Sequence, residues 1–311
     1  MPKKEDTGLK QNLVNQVRSF FKQNNEGAYG TDDRYLEGCL RFARFLGEET
    51  HLQKMTNAEA RHLYAYVDYM KEKGLAASTI MTDLSAIRFY YERNGSKNKM
   101  PENVKLDLEK RSPTRLDRSW LPSEIKSAYG RAILMGRRDV LVSLDFMLHF
   151  GLRINELASL KLKMIEEAEK TTQLRIIGKG ARKRVICFEE NSMQMQIIRK
   201  WIDEAKATKR DKEQYIICED RHRSVEKAKK SLHNWYYDQR DCYMVKDRAN
   251  IVEEGKKPRA DKITPHGLRH TFAQRYLVEH SNINPKKARK DLAEELGHGR
   301  ISVTRIYENT K

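Results

Sequence analysis

Four residues near the C-terminus carry side chains that could act on a phosphodiester: His266, Arg269, His298 and Tyr307. A phenol is a nucleophile, a guanidinium binds phosphate oxygens and an imidazole transfers protons, so such a set could act without a metal ion. His266 and Arg269 stand at positions i and i+3 and therefore share one face of a helix. The spacing predicts a phosphoryl-transfer site in the last part of the chain.

Two further basic residues could complete this site. Arg153 follows a glycine at the end of an apolar helix, where it either pairs with Glu156 or faces an anionic ligand. Lys179 lies between Gly178 and Gly180 at a tight turn, where its side chain either reaches a ligand or is solvated at a basic tip. Each candidate, taken singly, also has an ordinary interpretation as a satisfied histidine, a helix cap or a packing aromatic ring.

The elements that must position these residues are mainly helical. The first 100 residues carry four apolar stripes at helical spacing and no strand pattern. Thr31, Thr56 and Ser78 are predicted to cap the second, third and fourth helices, and Gly47 to end the second. Four helices with short loops predict a compact helical domain over residues 1–100, whose basic face either lies on phosphates or is a solvated helix surface.

A second domain is predicted over residues 119–311, because residues 101–118 are proline-containing, charged and poor in large apolar groups, which is typical of a linker. Alternating apolar positions predict a β-hairpin over residues 173–188 around Lys179, and residues 215–218 are a candidate strand. Helices are predicted from residue 122 and over 139–150, 192–207, 224–248, 268–279 and 285–296. The fold class is therefore mainly α with a small β-hairpin, an all-helical domain followed by an α+β domain.

Composition points to a polyanionic partner. The chain has 311 residues, enough for two domains, with 61 Lys and Arg against 44 Asp and Glu and a net charge of +17. That excess favours nucleic acid as the partner. The four cysteines show neither zinc-site nor disulfide spacing, and no apolar run is long enough for a membrane span. We therefore expect a cytoplasmic protein that does not bind membranes, with a nuclear location as the open alternative.

The candidate residues occur in a familiar order, and the chain resembles the tyrosine recombinases, the family of phage and transposon integrases and of recombinases that resolve chromosome dimers. Four stretches carry the resemblance: GLRINEL around Arg153, GKGARKRV around Lys179, HGLRHTFA around His266 and Arg269, and LGHGRISVTRIY ending at Tyr307. The similarity spans residues 120 to 307, and the N-terminal helices resemble, more weakly, the SAM-like core-binding domain of the family.

The resemblance implies a site-specific DNA recombinase. In that chemistry Tyr307 attacks the scissile phosphate, forms a 3′-phosphotyrosine and releases a 5′-hydroxyl. Arg153 and Arg269 hold the non-bridging oxygens, and Glu156 supports Arg153. Lys179 protonates the leaving oxygen.

For the two imidazoles, the resemblance implies that His266 transfers the proton of the tyrosine and that His298 donates a hydrogen bond to the phosphate. It implies no metal and no nucleotide cofactor, because the covalent link conserves the bond energy. Expected partners are double-stranded DNA, further copies of the chain in a dimer or tetramer on DNA, and accessory proteins that bend DNA or set direction.

Two features depart from the family. Four residues follow Tyr307, whereas many members continue into a helix that docks on a neighbouring protomer, so we expect a monomer in solution without DNA. The charged stretch 209–262 is longer than is typical and has no predicted role. Two alternatives stay open: a type IB topoisomerase, which would relax DNA without a specific site, and a DNA-binding regulator that does no chemistry.

Overall fold

The computed structural model describes residues 8–24, 29–106, 108, 116–178, 181–219, 222, 224–298 and 304–308. By internal contacts the chain divides into two compact units, Met1–Ser112 and Pro113–Lys311. The division falls inside the stretch 101–118. Each unit has its own hydrophobic core.

The first unit is built from helices. They are α1 (Gly8–Gln23), α2 (Tyr29–Glu49), α3 (Ala60–Glu72) and α4 (Ala77–Arg93), with short 3-10 turns at Met55–Asn57 and Asn103–Leu106. Aliphatic and aromatic side chains from all four helices form the core. The fully buried carboxylate of Asp83 on α4 accepts hydrogen bonds from Arg34, Arg41 and Tyr66, which joins α2, α3 and α4. The predicted four-helix fold is confirmed.

Several predicted helix ends in this unit are wrong. Thr31 and Gly47 lie inside α2, Thr56 lies in a 3-10 turn, and α4 begins at Ala77, before Ser78. Gly47 is a point of close approach, because a Cβ there would stand 2.6 Å from Cα of Lys10 on α1. The glycine is required at this position because it lacks a side chain, and not because the backbone makes a left-handed turn.

The second unit contains the remaining elements. These are α5 (Pro122–Leu134), α6 (Arg138–His149), α7 (Ile154–Ala158), α8 (Leu162–Thr171), β1 (Gln173–Ile177), β2 (Lys183–Cys187), α9 (Met193–Ala207), α10 (Val225–Asp238), α11 (Arg240–Tyr243), α12 (Pro265–Glu279) and α13 (Pro285–Glu295), with 3-10 turns at Arg248–Asn250 and Arg305–Tyr307. The strands pair antiparallel as the predicted hairpin, with Ile176 opposite Arg184. α6 is buried along nearly its whole length and packs against α5, α9, α10 and α12. The predicted fold class is confirmed.

The charged stretch 209–262 is part of this core. It forms two helices where one was predicted over residues 224–248, and residues 215–218 form a turn with a single bridge between Lys161 and Tyr215 in place of a strand. Arg248 is fully buried, pairs with Glu124 at 3.0 Å and donates to the carbonyl of Ser119 at 2.8 Å. A charged sequence therefore contributes a buried ion pair that ties it to the start of the unit.

None of the helices in the described part of the chain is both long and apolar enough to cross a membrane.

The close helix crossing at Gly47 gives a first prediction. Gly47→Ala should destabilise the first unit by about 1–3 kcal/mol, because the added methyl overlaps the α1 backbone. Gly130→Ala on α5 is the matched control: a Cβ there meets nothing within 4 Å, so the helix should gain up to about 1 kcal/mol. Urea unfolding of both variants measures this. Stabilisation by both substitutions would contradict the packing at Gly47.

Candidate active site

The structure brings together six of the residues that the motifs single out, but Lys179 lies outside the described residues. Their places are the N-cap of α7 (Arg153), the first turn of α7 (Glu156), the start of α12 (His266, Arg269), the second residue after the C-cap of α13 (His298) and the last 3-10 turn (Tyr307). The site is thus assembled from four separate segments of the second unit.

Tyr307 lies at the centre of the cluster and is only 2% exposed. Its phenol oxygen is 3.3 Å from Nε of Arg269 and 3.5 Å from Nε2 of His298. The ring of His298 stacks parallel to the phenol ring with centroids 5.5 Å apart. The nucleophile candidate is therefore held between a cation and an imidazole.

Arg269 is completely buried and joins the segments. Besides the phenol, it donates to the carbonyls of Gly151 and Leu296 and lies 3.6 Å from the carboxylate of Glu156. Desolvation lowers the pKa of Arg269 to about 10, so the guanidinium remains charged near neutral pH. Gly151 has φ +58°, and a Cβ there would stand 2.5 Å from the ring of Phe272, so the glycine is needed for this turn.

Glu156 is the shared acidic partner. It is the third residue of α7, and its carboxylate reaches back to the backbone N–H of Arg153 at 2.8 Å, as in a capping box. The same carboxylate accepts from the guanidinium of Arg153 at 2.7 Å and from that of Arg184 at 2.8 Å. Burial alone would raise the pKa of Glu156, but Arg184, the Arg153 N–H and Arg269 together lower it. The carboxylate is thus held in its ionised form.

Arg153 is the most accessible arginine of the cluster, with 32% of its side chain exposed. Its Nη1 donates to Glu156 and to the carbonyl of Leu296. Among the described residues, its Nε and Nη2 have no hydrogen-bond partner, so they can receive an anion. Of the two interpretations left open for Arg153, pairing with Glu156 is observed, and it still leaves two N–H groups for a ligand.

His298 is placed by the end of α13. Gly297 has φ +64°, its N–H donates to Glu294 at 2.9 Å and the N–H of His298 donates to Ala293 at 2.8 Å. This pair of bonds is a Schellman cap. The cap and the site are compatible, because the backbone closes the helix while the side chain contacts Tyr307. Desolvation and the nearby guanidiniums, that of Arg269 first, lower the pKa of His298 to about 4, so the ring is neutral near pH 7.

Two other histidines border the phenol. The buried ring of His270 packs edge-on against Tyr307 with centroids 4.5 Å apart, whereas the centroid of His266 is 6.5 Å away. Desolvation lowers the pKa of His270 to about 3. The more exposed His266 also has a lowered pKa, through desolvation and the charge of Arg269. His270 is therefore a wall of the site, and His266 lies at its edge.

Some contributors were missed from the sequence. One of them is Trp120, whose indole N–H donates to the carbonyl of Thr264 and fixes the start of α12. Gly267 allows this contact, because a Cβ there would stand 2.8 Å from the Trp120 ring. The segment of Tyr307 is held on its other side, where Glu308 accepts from Arg289 and Lys257. Lys257 belongs to the charged stretch 209–262, which thereby gains a role at the site.

The chemistry that this arrangement can perform is attack by a phenol on an anionic ester. Three guanidiniums surround one carboxylate, so the cluster carries excess positive charge that favours a phosphate. Neutral imidazoles beside the phenol can accept its proton. No group of three or more metal-binding side chains occurs within the residues that the structure describes.

Comparisons with known proteins identify the family of the chain. The model of the phage integrase family matches residues 131–311, and that of the phage integrase N-terminal SAM-like domain matches residues 17–93. Tyrosine recombinase XerD of Rickettsia bellii is 26% identical, with 88% of this chain and 86% of that protein covered. Tyrosine recombinase XerC of Pelotomaculum thermopropionicum is 27% identical, with 87% and 83% covered.

Solved structures share the fold. A lambda integrase tetramer bound to a Holliday junction superposes with a TM-score of 0.65 at 14% identity, covering 96% of this chain and 77% of that one. The Tn1549 transposon integrase in complex with transposon right end DNA gives a TM-score of 0.56 at 18% identity, with 96% of each chain covered.

The buried, neutral His270 predicts a pH effect on stability. Its pKa is about 3 in the folded protein and about 6.5 when unfolded, so below pH 6.5 the unfolded chain binds a proton that the folded chain does not. The free energy of unfolding of the wild type should therefore decrease as the pH is lowered below 6.5, by about 1.4 kcal/mol per pH unit from this histidine. His270→Phe should remove this contribution. Urea unfolding at pH 8, 6 and 5 measures the difference, with pH 8 as the reference. A difference independent of pH would contradict the burial of a neutral imidazole.

Proposed function

The chain belongs to the phage integrase family of tyrosine recombinases, and we propose that Tyr307 is the nucleophile with which it cleaves and rejoins double-stranded DNA at a specific site. The observation that carries this assignment is the position of the phenol oxygen, 3.3 Å from Arg269 and 3.5 Å from His298. A cation and a neutral imidazole beside a phenol favour its deprotonation and its attack on an anionic phosphate.

The reaction is a transesterification. The Tyr307 oxygen forms a bond to phosphorus while the bond from phosphorus to the 5′-oxygen breaks, which leaves a 3′-phosphotyrosine and a 5′-hydroxyl. The phenol proton passes to an imidazole, and the family resemblance assigns this step to His266. In the free protein the ring nitrogen nearer to the phenol oxygen belongs to His298, so His298 orients the phenol. On binding of DNA, His266 moves within reach of the phenol and accepts its proton. Lys179 supplies the proton that the 5′-oxygen takes up. Bond energy is conserved, and rejoining needs no nucleotide.

Arg153 and Arg269 stabilise the charge that develops on the phosphate oxygens. In other phosphoryl-transfer enzymes a transition-state arginine contributes about 10³ to 10⁵ in rate. Arg153 is the first phosphate contact, because it is the accessible member, whereas Arg269 and Tyr307 are buried. Binding of DNA therefore has to open the cluster slightly before the phenol reaches phosphorus.

Double-stranded DNA is the proposed partner of both units. The net charge of +17 suits a polyanion, and the first unit matches the N-terminal SAM-like domain of the family. We assign DNA binding to residues 1–100, linkage to residues 101–118 and catalysis to residues 119–311. The lambda integrase structures are a tetramer on a Holliday junction and a dimer on a core site, so assembly of this chain into dimers and tetramers on DNA is proposed by analogy. A cytoplasmic location follows from the same role.

A covalent trap tests the function. Purified protein is mixed with fragmented genomic DNA of the source organism, denatured in SDS, and the fragments linked to protein are sequenced. We expect adducts at one short sequence, with free 5′-hydroxyls that a polynucleotide kinase labels and 3′ ends blocked by protein.

The Tyr307→Phe variant is the control in this trap. It should form no adduct while it retains affinity for the recovered sequence. An adduct in Tyr307→Phe would exclude this nucleophile, and adducts scattered over all sequences would favour a topoisomerase.

Arg153 provides a second test of the mechanism. Arg153→Met should slow single-turnover cleavage of the recovered site by about 10³-fold or more, because the planar fork that holds the phosphate is lost. Arg153→Lys keeps the charge without the fork and should remain at least about tenfold slower than the wild type. Adduct formation over time at saturating protein measures both rates. A wild-type rate in Arg153→Met would exclude a phosphate contact.

A further inference from the structure

Arg184 differs from the other described basic side chains of the hairpin. Arg175, Arg182 and Lys183 are exposed, whereas the side chain of Arg184 is only 7% exposed although it stands on the same short strand pair. Desolvation of a charged side chain is costly unless fixed partners compensate. The contacts of Arg184 therefore identify what the hairpin is fastened to.

The guanidinium of Arg184 has two partners on different segments. Its Nη2 donates to the Glu156 carboxylate at 2.8 Å, and its Nη1 donates to the backbone carbonyl of Glu295 in the last turn of α13. Its aliphatic stem passes so close to Gly297 that a Cβ there would stand 2.8 Å from Cδ of Arg184. β2, α7 and the end of α13 are thus joined through one side chain.

Both partners lie next to residues of the proposed site. Arg184 contacts Oε2 of Glu156, while Nη1 of Arg153 contacts Oε1. Glu295 is three residues before His298 and one before Leu296, whose carbonyl accepts from Arg153 and Arg269. A cation at the C-terminal carbonyls of a helix is also favourable electrostatically. Loss of Arg184 would free the carboxylate to rotate and the cap that carries His298 to shift.

We propose that Arg184 is a positioning residue for strand cleavage: it fixes Glu156 so that Arg153 presents Nε and Nη2 to the phosphate, and it fixes the end of α13 so that His298 stays on Tyr307. This inference rests on the proposed function. Arg184 itself contacts neither the phenol nor the phosphate. It acts through Arg153 and His298, on the nucleophile and phosphate side of the reaction.

The test compares Arg184→Met with Arg175→Met. Both remove a guanidinium of similar length from the same hairpin, but Arg175 is exposed and, among the residues that the structure describes, pairs only with the exposed Glu167. On a duplex carrying the site recovered by the covalent trap, single-turnover cleavage at saturating protein should slow by about 10- to 100-fold in Arg184→Met. Arg175→Met should cleave at the wild-type rate.

Two further readouts separate positioning from loss of fold or of DNA binding. Affinity for the same duplex, measured in a Tyr307→Phe background, should change by less than about threefold on adding Arg184→Met, since the rate effect is chemical. A duplex with sulfur as the 5′-bridging atom has a leaving group that needs no protonation, because a thiol is far more acidic than an alcohol. The deficit of Arg184→Met should persist on it.

Each outcome decides between the proposals. Restoration of the rate by the sulfur substrate would assign Arg184 to the leaving-group side, through the hairpin of Lys179, and overturn the inference. Equal rates for Arg184→Met and Arg175→Met would also overturn it, whereas absence of any wild-type adduct would overturn the proposed function. If Arg184→Met does not fold, Arg184→Lys decides, because one ammonium cannot hold both partners: slower cleavage with unchanged affinity supports the role, and a wild-type rate excludes it.

Discussion

One buried carboxylate, that of Glu156, sets the arrangement of the whole cluster. Guanidiniums from three different elements, those of Arg153, Arg184 and Arg269, converge on it. Such cations would repel one another without an anion between them, and a lone buried carboxylate would be strongly destabilising. The same three arginines also donate to the last carbonyls of α13, the negative end of that helix. The turn after α6, the hairpin, α12 and α13 are therefore positioned by one set of charges.

The balance of charge in this cluster links stability to function. Three cations face one anion, and the pKa of both His270 and His298 is lowered by desolvation, so these rings add no positive charge near neutral pH. The excess is tolerated because Arg153 is partly solvated. In the proposed reaction, a DNA phosphate bound by Arg153 would restore the balance of charge next to Tyr307. Apart from the opening that DNA binding requires, most charged groups of the free protein are already oriented, so little reorganisation is needed in the chemical step.

Much of the fold and of the candidate site could be predicted from the sequence, for physical reasons. Periodicity predicts elements: the hairpin, α12 and α13 lie where apolar positions place them, whereas the short helix α7 was not predicted. The motifs predict which residues converge, because phosphoryl transfer requires those residue types. The sequence does not predict whether a charged side chain points to solvent or to the core. Arg184 and Arg248 resemble solvated basic residues in the sequence, and only tertiary packing turns them inward. Gly47 was misinterpreted for a related reason, since a glycine that permits close approach looks the same in sequence as one that ends a helix.

The central claim, that Tyr307 forms the covalent bond to DNA, is tested most directly by mapping the adduct. Nuclease treatment of trapped protein leaves a nucleotide on the attacking side chain, and trypsin cleavage after Arg305 releases residues 306–311, which contain one tyrosine. Mass spectrometry should find this peptide heavier by one nucleotide 3′-phosphate, with fragment ions that place the mass on Tyr307. A nucleotide on any other peptide, with residues 306–311 unmodified, would contradict the account.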